Sequence, residues 1–262
     1  MADVEEPLVG GRSTQGVVRI GDTVRRPAGP WTETVQAFLS YIRAHGFREA
    51  PEPRGLDERG REVLSFIPGD VLATPQDPSD PLVLVPYPEP WRSDEALAAA
   101  GRLIRQLHEA SRGFATTSTH WRLCDRSMRG DEIICHGDLG PWNTVYVEGR
   151  PAAFIDWDSA RPDAPILDLA SAAWHFVPLA DDEELEALGY NSIDYGTRLN
   201  VFMDAYDLHD RSEFVTALQL AKQRDTENVR HWGLGASDAA DYIGWVADQL
   251  RWLDEHRNEL RR

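Results

Sequence analysis

The sequence predicts an α+β protein with two lobes, a small β-rich amino-terminal lobe over 1–66 and a mainly helical carboxy-terminal lobe over 67–262. Up to residue 66, short apolar pairs such as Val17-Val18 are separated by turn signals, a pattern typical of strands. Beyond residue 93, apolar residues recur mostly at helical spacing. A segment rich in proline and aspartate, GDVLATPQDPSDPLVLVPYPEPW, separates the two patterns and predicts an irregular connection.

The first region divides into two hairpins and one helix. Gly21-Asp22 predicts a turn between GVVRI and TVRRP, and Glu58-Arg59-Gly60 predicts another before REVLSFIPG. Between the hairpins, Thr32 is predicted to cap a helix that ends at His45-Gly46. Its apolar face consists of Val35, Phe38, Leu39 and Ile42. The amino-terminal lobe is therefore predicted to be a small sheet with a single helix.

The second region begins with a helix that starts at Ser93 and ends near Gly113. Residues 131–158 return to a strand-like, turn-rich pattern, and everything beyond about 166 is helical in pattern. The last helix is predicted to bury Ile243, Val246, Leu250 and Leu253.

Composition excludes some classes of protein. The formal charge is −17 over 262 residues, so nucleic acid is not an expected partner, because phosphate backbones are bound by clustered Lys and Arg. The acidic surface fits a cationic or polar ligand, although solubility alone is an alternative explanation. No stretch reaches the length of a membrane span, and the start MADVEEPLVGG lacks a signal-peptide layout, so a cytoplasmic location is expected. Cys124 and Cys135 are predicted to be reduced thiols.

The most informative stretch is ICHGDLGPWNTVYVEGRPAAFIDWDSA, which spans 134–160. A hairpin through Glu148-Gly149 is predicted to return the chain beside its start, bringing together Asp138, Asn143 and Asp156. Carboxylate and amide oxygens are hard ligands suited to Mg²⁺. A further carboxylate can accept a proton from a hydroxyl. The stretch therefore predicts metal-assisted chemistry, with acidic surface turns of a non-enzyme as the alternative.

The same residues resemble the aminoglycoside phosphotransferase and choline kinase family, whose loops read H-G-D-(L/I/F)-x-x-x-N and (I/L)-D-(W/F/Y)-(D/E). This chain has HGDLGPWN and IDWD. The resemblance implies a protein-kinase-like fold, with Asp138 as the base, Asn143 and Asp156 as Mg²⁺ ligands, and Asp158 as an accessory acid beside the metal. His136 belongs to the catalytic loop, where a structural role is expected.

The resemblance extends to three further features. The family's PxxDLA pattern is present as PILDLA, in which Asp168 either supports the catalytic loop or only complements the helix dipole. His108, in the pattern LIRQLHEAS, is expected to pack or to face solvent. REVLSFIPGD resembles the hinge between lobes, where Ser65, Phe66 and Ile67 would contact the adenine of ATP or the base of GTP.

The phosphate site departs from the family's usual pattern, because Lys222 is the only lysine of the chain and the strand lysine is absent. Alignment of VRRP places Arg25 at that position, with Arg26 on the opposite face of the strand. Glu33 is the candidate partner for this cation. Ser13, in the loop Gly10–Thr14, is a candidate hydrogen-bond donor to the phosphate oxygens of the nucleotide.

The sequence therefore predicts a cytoplasmic small-molecule kinase that uses ATP or GTP with Mg²⁺ and acts as a monomer or dimer. Its acceptor is expected to be a hydroxyl compound, polar or cationic, bound near residues 174–200 and the acidic run 181–184. The main alternative is a binding or immunity module on the same fold, which the missing lysine suggests. A metal-dependent hydrolase is disfavoured because no histidine-rich or two-metal ligand set accompanies the acids.

Overall fold

The computed structural model describes residues 4–8, 16–72, 84–116, 118, 120–229 and 235–261. Its amino-terminal part forms one antiparallel sheet with strand order β1-β2-β3-β5-β4. The strands are β1 (Glu6–Pro7), β2 (Val18–Ile20), β3 (Thr23–Arg26), β4 (Pro53–Leu56) and β5 (Glu62–Ser65). Both predicted hairpins are confirmed, since β2 pairs with β3 through Ile20 and Thr23, and β4 pairs with β5.

One helix, α1 (Thr32–Ala44), lies between β3 and β4 as predicted. Its predicted apolar face is buried, with Phe38 and Ile42 at 0% exposure. The predicted cap is wrong, because the helix begins at Thr32 after Trp31, and no side chain of the described residues caps it. The Thr32 hydroxyl instead accepts a hydrogen bond from the Gly29 N–H at 2.9 Å, which stabilises the turn before the helix.

The carboxy-terminal part is mostly helical and contains two short antiparallel sheets. The pairs are β6 (Ile133–Cys135) with β9 (Arg161–Asp163), and β7 (Thr144–Val147) with β8 (Arg150–Phe154). The helices are α2 (Asp94–Ser111), α3 (Pro165–Phe176), α4 (Asp182–Ala187), α5 (Tyr195–Tyr206), α6 (Phe214–Asn228) and α7 (Ala236–His256). The sequence-predicted two-part α+β architecture is therefore confirmed.

Helix α2 lies at the centre of the core. Ser93 caps it, as predicted, by accepting a hydrogen bond from the Ala96 N–H at 3.2 Å. Its apolar face packs in one continuous hydrophobic cluster with residues of α1, α3 and α5. Helix α7 is only partly as predicted, since Val246 and Leu253 are buried whereas Ile243 is 43% exposed. Burial of each such apolar side chain contributes about 1.5–3 kcal/mol to folding.

The chain leaves the first sheet through residues 66–72, and Asp70 there forms an isolated bridge with Tyr146 of β7. The two reciprocal backbone hydrogen bonds are 2.8 and 2.7 Å long. This bridge joins the connection to the hairpin that carries the candidate site. Among the described residues, no helix has the length and apolarity required to cross a bilayer. The division at residue 66 stays a prediction.

Candidate active site

Two loops meet at the hairpin β7–β8. The turn uses Glu148 and Gly149, both in the left-handed region at φ 51° and 77°, which aligns the strands closely. Asn143, before β7, donates from Nδ2 to the Asp138 carboxylate at 2.8 Å and to the Asp138 carbonyl at 2.9 Å. The Ile155 N–H, immediately before Asp156, donates to the Asn143 carbonyl at 2.9 Å. The structure thus brings together Asp138, Asn143 and Asp156.

The electrostatic environment of Asp138 suits proton transfer. Desolvation, and secondly the charge of Asp156, raise the pKa of Asp138 to about 7, although hydrogen bonds from Asn143 and Trp142 oppose the shift. A positioned carboxylate whose pKa lies near neutrality is well matched to general base catalysis.

Asp156 has an unusual backbone conformation, with φ 61° and ψ 67°, in the left-handed region. Aspartate tolerates this region better than most residues, and such conformations concentrate at functional sites. Its Oδ1 lies 3.0 Å from Nη1 of Arg26. The contact is an ion pair, and this carboxylate oxygen is buried.

These side chains fit a hard divalent cation. Because Asn143 uses its Nδ2 on Asp138, its amide oxygen is the atom left to act as a ligand. Asp156 contributes a buried carboxylate oxygen, which is paired with Arg26 in this structure. An amide oxygen and a carboxylate are ligands typical of Mg²⁺, which completes its octahedron with water and phosphate oxygens.

Asp158 is held differently from the predicted accessory metal acid. Its Oδ2 accepts hydrogen bonds from Arg26 and, at 3.2 Å, from Arg122, and its Oδ1 accepts from the Trp31 indole at 3.0 Å. Burial raises the pKa of Asp158, while the charge of Arg26 opposes that shift. Since both oxygens are occupied, Asp158 anchors the IDWD loop, 155–158, to β3 and to the start of α1 in this structure.

His136 is also not at the reacting centre. It is fully buried, and its Nε2 lies 3.0 Å from the Ile155 carbonyl, which joins the HGDLGPWN loop to the IDWD loop. Its ring packs against Trp157 with centroids 4.5 Å apart. Desolvation lowers the pKa of His136, so the imidazole is neutral. These contacts agree with the structural role expected for His136 within the loop that carries Asp138.

Gly137 and Asp168 fix the backbone of the catalytic loop. Gly137 has φ +78°, and a Cβ there would lie 2.3 Å from the Ser159 carbonyl oxygen, so the loop requires glycine. Asp168, in the first turn of α3, accepts from the N–H groups of His136 and Gly137 at 3.3 and 2.9 Å. Asp168 therefore supports the loop, beyond any helix-dipole role.

A buried relay continues from Asp168 into the helical core. His108 Nε2 lies 3.0 Å from Asp168 Oδ2, and His108 Nδ1 lies 2.8 Å from the Tyr206 hydroxyl. Burial disfavours ionisation of Asp168, but the hydrogen bond from His108 and the loop amides prevail and lower its pKa. His108 thus packs, as predicted, and Cys135 lies beside it as a buried free thiol.

The structure places Arg26 of β3, and not the predicted Arg25, beside the acids of the candidate site. Arg25 points away from Asp156 and Asp158, and its Nε lies 3.6 Å from the Asp57 carboxylate in the β4–β5 turn. Arg26 is the residue that reaches Asp156 and Asp158, and it is only 6% exposed. Adjacent side chains of β3 point to opposite faces of the sheet. An alignment that is shifted by one residue therefore assigns Arg25, rather than Arg26, to the face of the candidate site.

The carboxylate that pairs with Arg26 is Glu62, and not the predicted Glu33. Glu33 is exposed in the first turn of α1, whereas Glu62 of β5 is buried, with its Oε2 3.5 Å from Arg26 Nε. Glu62 lies directly opposite Arg26 in the β3–β5 register. Burial raises the pKa of Glu62, and the charge of Arg26 opposes that shift.

Two backbone N–H groups of the predicted hinge form hydrogen bonds within the amino-terminal part of the chain. The Ser65 N–H donates to the Glu52 carbonyl at 2.9 Å, and the Phe66 N–H donates to the Asp22 carbonyl at 2.8 Å. These two N–H groups are therefore not free to bind a purine base, which leaves Ile67 and the carbonyl oxygens as the candidates. Ser13 and its loop lie outside the described residues.

The predicted acceptor region is divided. His175 contacts the ring of Trp142, which hydrogen-bonds to Asp138, whereas Trp174 and several residues from 185 to 199 belong to the hydrophobic core. Glu184 accepts a hydrogen bond from the Trp245 indole. The sequence interpretation missed Asp225 of α6 and Tyr242 of α7, which interact with Asp138. It also missed Lys222 and Trp245, which lie beside those two residues. The only signal for them was the uniqueness of Lys222 in the chain.

Known proteins resemble this chain in sequence. A model of the phosphotransferase enzyme family matches residues 86–199, which include both loops and Asp168. The chain is 34% identical over 264 residues to the trifolitoxin immunity protein of Rhizobium leguminosarum bv. trifolii, and the match covers 96% of this chain and 95% of that protein.

Solved structures resemble it in fold. A candidate aminoglycoside phosphotransferase from Ralstonia eutropha JMP134 superposes with a TM-score of 0.60 at 14% identity, covering 99% of this chain and 94% of that one. The macrolide 2′-phosphotransferase MphH from Brachybacterium faecium gives 0.55 at 17% identity, covering 94% and 91%. The loops, the sequence match and the fold agree: the chain belongs to the phosphotransferase enzyme family and has a protein-kinase-like fold.

Proposed function

We propose that the protein is a small-molecule kinase that transfers the γ-phosphoryl group of ATP or GTP to a hydroxyl group of a polar acceptor. The observation that carries the proposal is the convergence of Asp138, Asn143 and Asp156, held by hydrogen bonds within and between their loops. Membership of a phosphotransferase family agrees with it. Phosphoryl transfer depends on positioning and electrostatics, which this arrangement supplies.

Each residue has a distinct role in the proposed reaction. Asp138 accepts the proton of the acceptor hydroxyl. The hydroxyl oxygen forms a bond to the γ-phosphorus as the bond between the γ-phosphorus and the bridging β-phosphate oxygen breaks. Asn143 keeps Asp138 oriented through the 2.8 Å hydrogen bond. Asn143 and Asp156 would hold Mg²⁺, which offsets phosphate charge when bound. Arg26 supplies the cation that a strand lysine supplies in the family.

The acceptor is proposed to be an antibiotic-like or toxin-like compound. One relative, similar along almost its whole length, is named for immunity to trifolitoxin. Modification of a toxin hydroxyl would give immunity by the same chemistry. The choice between ATP and GTP is open to direct measurement.

The test is a nucleotide-consumption screen of the purified protein against hydroxyl-bearing antibiotics and toxins, with mass spectrometry of each responding compound. The matched control is Asp138→Asn, which keeps the size of the side chain and removes the base. A phosphorylated product made by the wild type and not by the variant is expected. A hydrolysed product, or equal consumption by both proteins, would contradict the proposal.

A second function is favoured by one specific contact. Arg26 already pairs with Asp156 and Asp158, and an arginine in place of the lysine changes the geometry of phosphate binding. A nucleotide-binding immunity module with little or no turnover would be built in this way. Saturable binding of nucleotide with no product from any acceptor would favour this alternative.

A further inference from the structure

Lys222 is enclosed by groups that bind organic cations. This residue, on α6, is 1% exposed, and its Nζ lies 4.8 Å from the ring centroid of Trp174 and 4.7 Å from that of Trp245. Asp225 Oδ2 lies 3.4 Å from the same nitrogen. Within the described ranges, Nζ makes no hydrogen bond. Aromatic faces and a carboxylate around an ammonium are the arrangement that recognises amines and quaternary ammonium ligands.

The enclosure is held by contacts that do not involve the lysine. The Trp174 indole N–H donates to the Leu218 carbonyl at 3.0 Å. The Trp245 indole N–H donates to Glu184 Oε1, and Gln249 Nε2 donates to Glu184 Oε2 at 2.6 Å. Both ring faces are therefore oriented independently of Lys222. The charges of Asp225 and Glu184 both act on Lys222, so two carboxylates attract a cation at this position beside the rings.

This enclosure adjoins the proposed base. Asp225 lines the same small cavity as Gly137, the residue immediately before Asp138, and its negative charge contributes to the raised pKa of Asp138. On the other side, the Trp142 ring, which hydrogen-bonds to Asp138, packs edge-on against His175 with centroids 4.5 Å apart. Desolvation, and secondly the charge of Lys222, lower the pKa of His175 well below its usual value, so this wall carries no second cation. An acceptor against Asp138 would therefore meet a wall that Lys222 has already neutralised in part.

We propose that Lys222 fills, from within the chain, a binding place for an organic cation, and that the acceptor consequently presents a neutral or anionic group to this wall. The second half of this proposal rests on the proposed kinase function, whereas the first half does not. It replaces the cationic acceptor that the net charge of the chain suggests with a polar acceptor that carries no ammonium group at this position.

The wild-type protein allows a direct test because it has one lysine. Incorporation of lysine labelled with ¹³C at Cε yields a single side-chain signal in the folded protein. The ring currents of the two indoles beside Nζ should move the Cε-bound proton resonances upfield of those of free lysine. Signals at the free-lysine position would show an unenclosed ammonium and overturn the proposal.

A cavity variant tests whether the enclosure binds a free cation. Lys222→Ala removes the atoms equivalent to n-propylammonium, which should bind in their place and raise the melting temperature of the variant by about 3–6 °C at tenfold its Kd. Neither the wild type nor Lys222→Met, which fills the space without charge, should respond. 1-Propanol serves as the neutral control for the alanine variant.

Two outcomes of this experiment would overturn the proposal. One is an alanine variant that responds equally to propanol and to propylammonium, and the other is a wild type stabilised as much as the variant. If the alanine variant does not fold, the labelled-lysine spectrum decides. Neither measurement requires turnover, so a failure of the kinase function and a failure of the enclosure are distinguishable.

Discussion

The two regions that meet at the candidate site are organised in different ways. In the catalytic region, Asp138 and Asn143 bond to each other within six residues, and Ile155 bonds back to Asn143. In the first sheet, Arg26 reaches its partners Asp156 and Asp158 across 130 or more residues. The positions of Asp138 and Asn143 are therefore determined by a local motif. The position of Arg26, which is distant in sequence from its partners, depends instead on the register of the strands. Substitutions in the two regions should accordingly fail in different ways.

The largest effect is expected in the catalytic region. Asp138→Ala and Asp156→Ala should each lower the phosphoryl-transfer rate by about 10²–10⁴-fold, because they remove the base or a metal ligand. Folding should be retained. Asp131→Ala, an exposed aspartate just before β6, is the matched control and should keep the wild-type rate. A coupled nucleotide assay with circular dichroism checks all three, and more than half the wild-type rate in either site variant would contradict the assignment.

The next effect is expected in the first sheet and concerns stability. Arg26→Ala leaves Glu62 and Asp158 buried without their shared cation, so the free energy of unfolding should fall by about 3–5 kcal/mol. Arg25→Ala, the adjacent residue on the other face, should cost less than about 1 kcal/mol. Urea denaturation of the two variants measures the contrast. Equal losses would show that the two faces of β3 are not distinguished as described.

These regions also differ in how far the sequence predicts them. The hairpins, α1, α2 and the meeting of Asp138 with Asn143 and Asp156 follow from turn residues, helical spacing and a local motif. The exchange of Arg25 for Arg26 does not, because alternation along a strand identifies two faces but not which one meets the site. The same limit applies to Glu62, which is placed opposite Arg26 only by the β3–β5 register.

Long-range helix packing was the other limit. Lys222 and Trp245 lie on separate helices, and nothing in their local sequence indicates that both face Trp174. Asp158 belongs to the recognised IDWD motif, yet its oxygens are occupied by Trp31 and two arginines from other parts of the chain. Motifs thus predict which residues approach each other locally, whereas tertiary contacts decide which atoms remain free for chemistry.

A smaller effect separates loop support from helix-dipole stabilisation. Asp168→Asn removes the charge that accepts hydrogen bonds from His108 and two loop amides, so unfolding free energy should fall by about 1–3 kcal/mol. The turnover rate should fall with it, because the catalytic loop loses its anchor. Asp182→Asn, an exposed acid in the first turn of α4, is the matched control. If it costs as much as Asp168→Asn, the helix dipole alone explains Asp168.

The most direct test of how the two regions form one site is calorimetric titration of a non-hydrolysable ATP analogue with Mg²⁺. Wild type, Arg25→Gln and Arg26→Gln are compared after thermal melts confirm that each is folded. We expect Arg26→Gln to weaken binding at least about tenfold, equivalent to about 1.4 kcal/mol, and Arg25→Gln to bind like the wild type. Lost affinity in Arg25→Gln with unchanged affinity in Arg26→Gln would contradict the account.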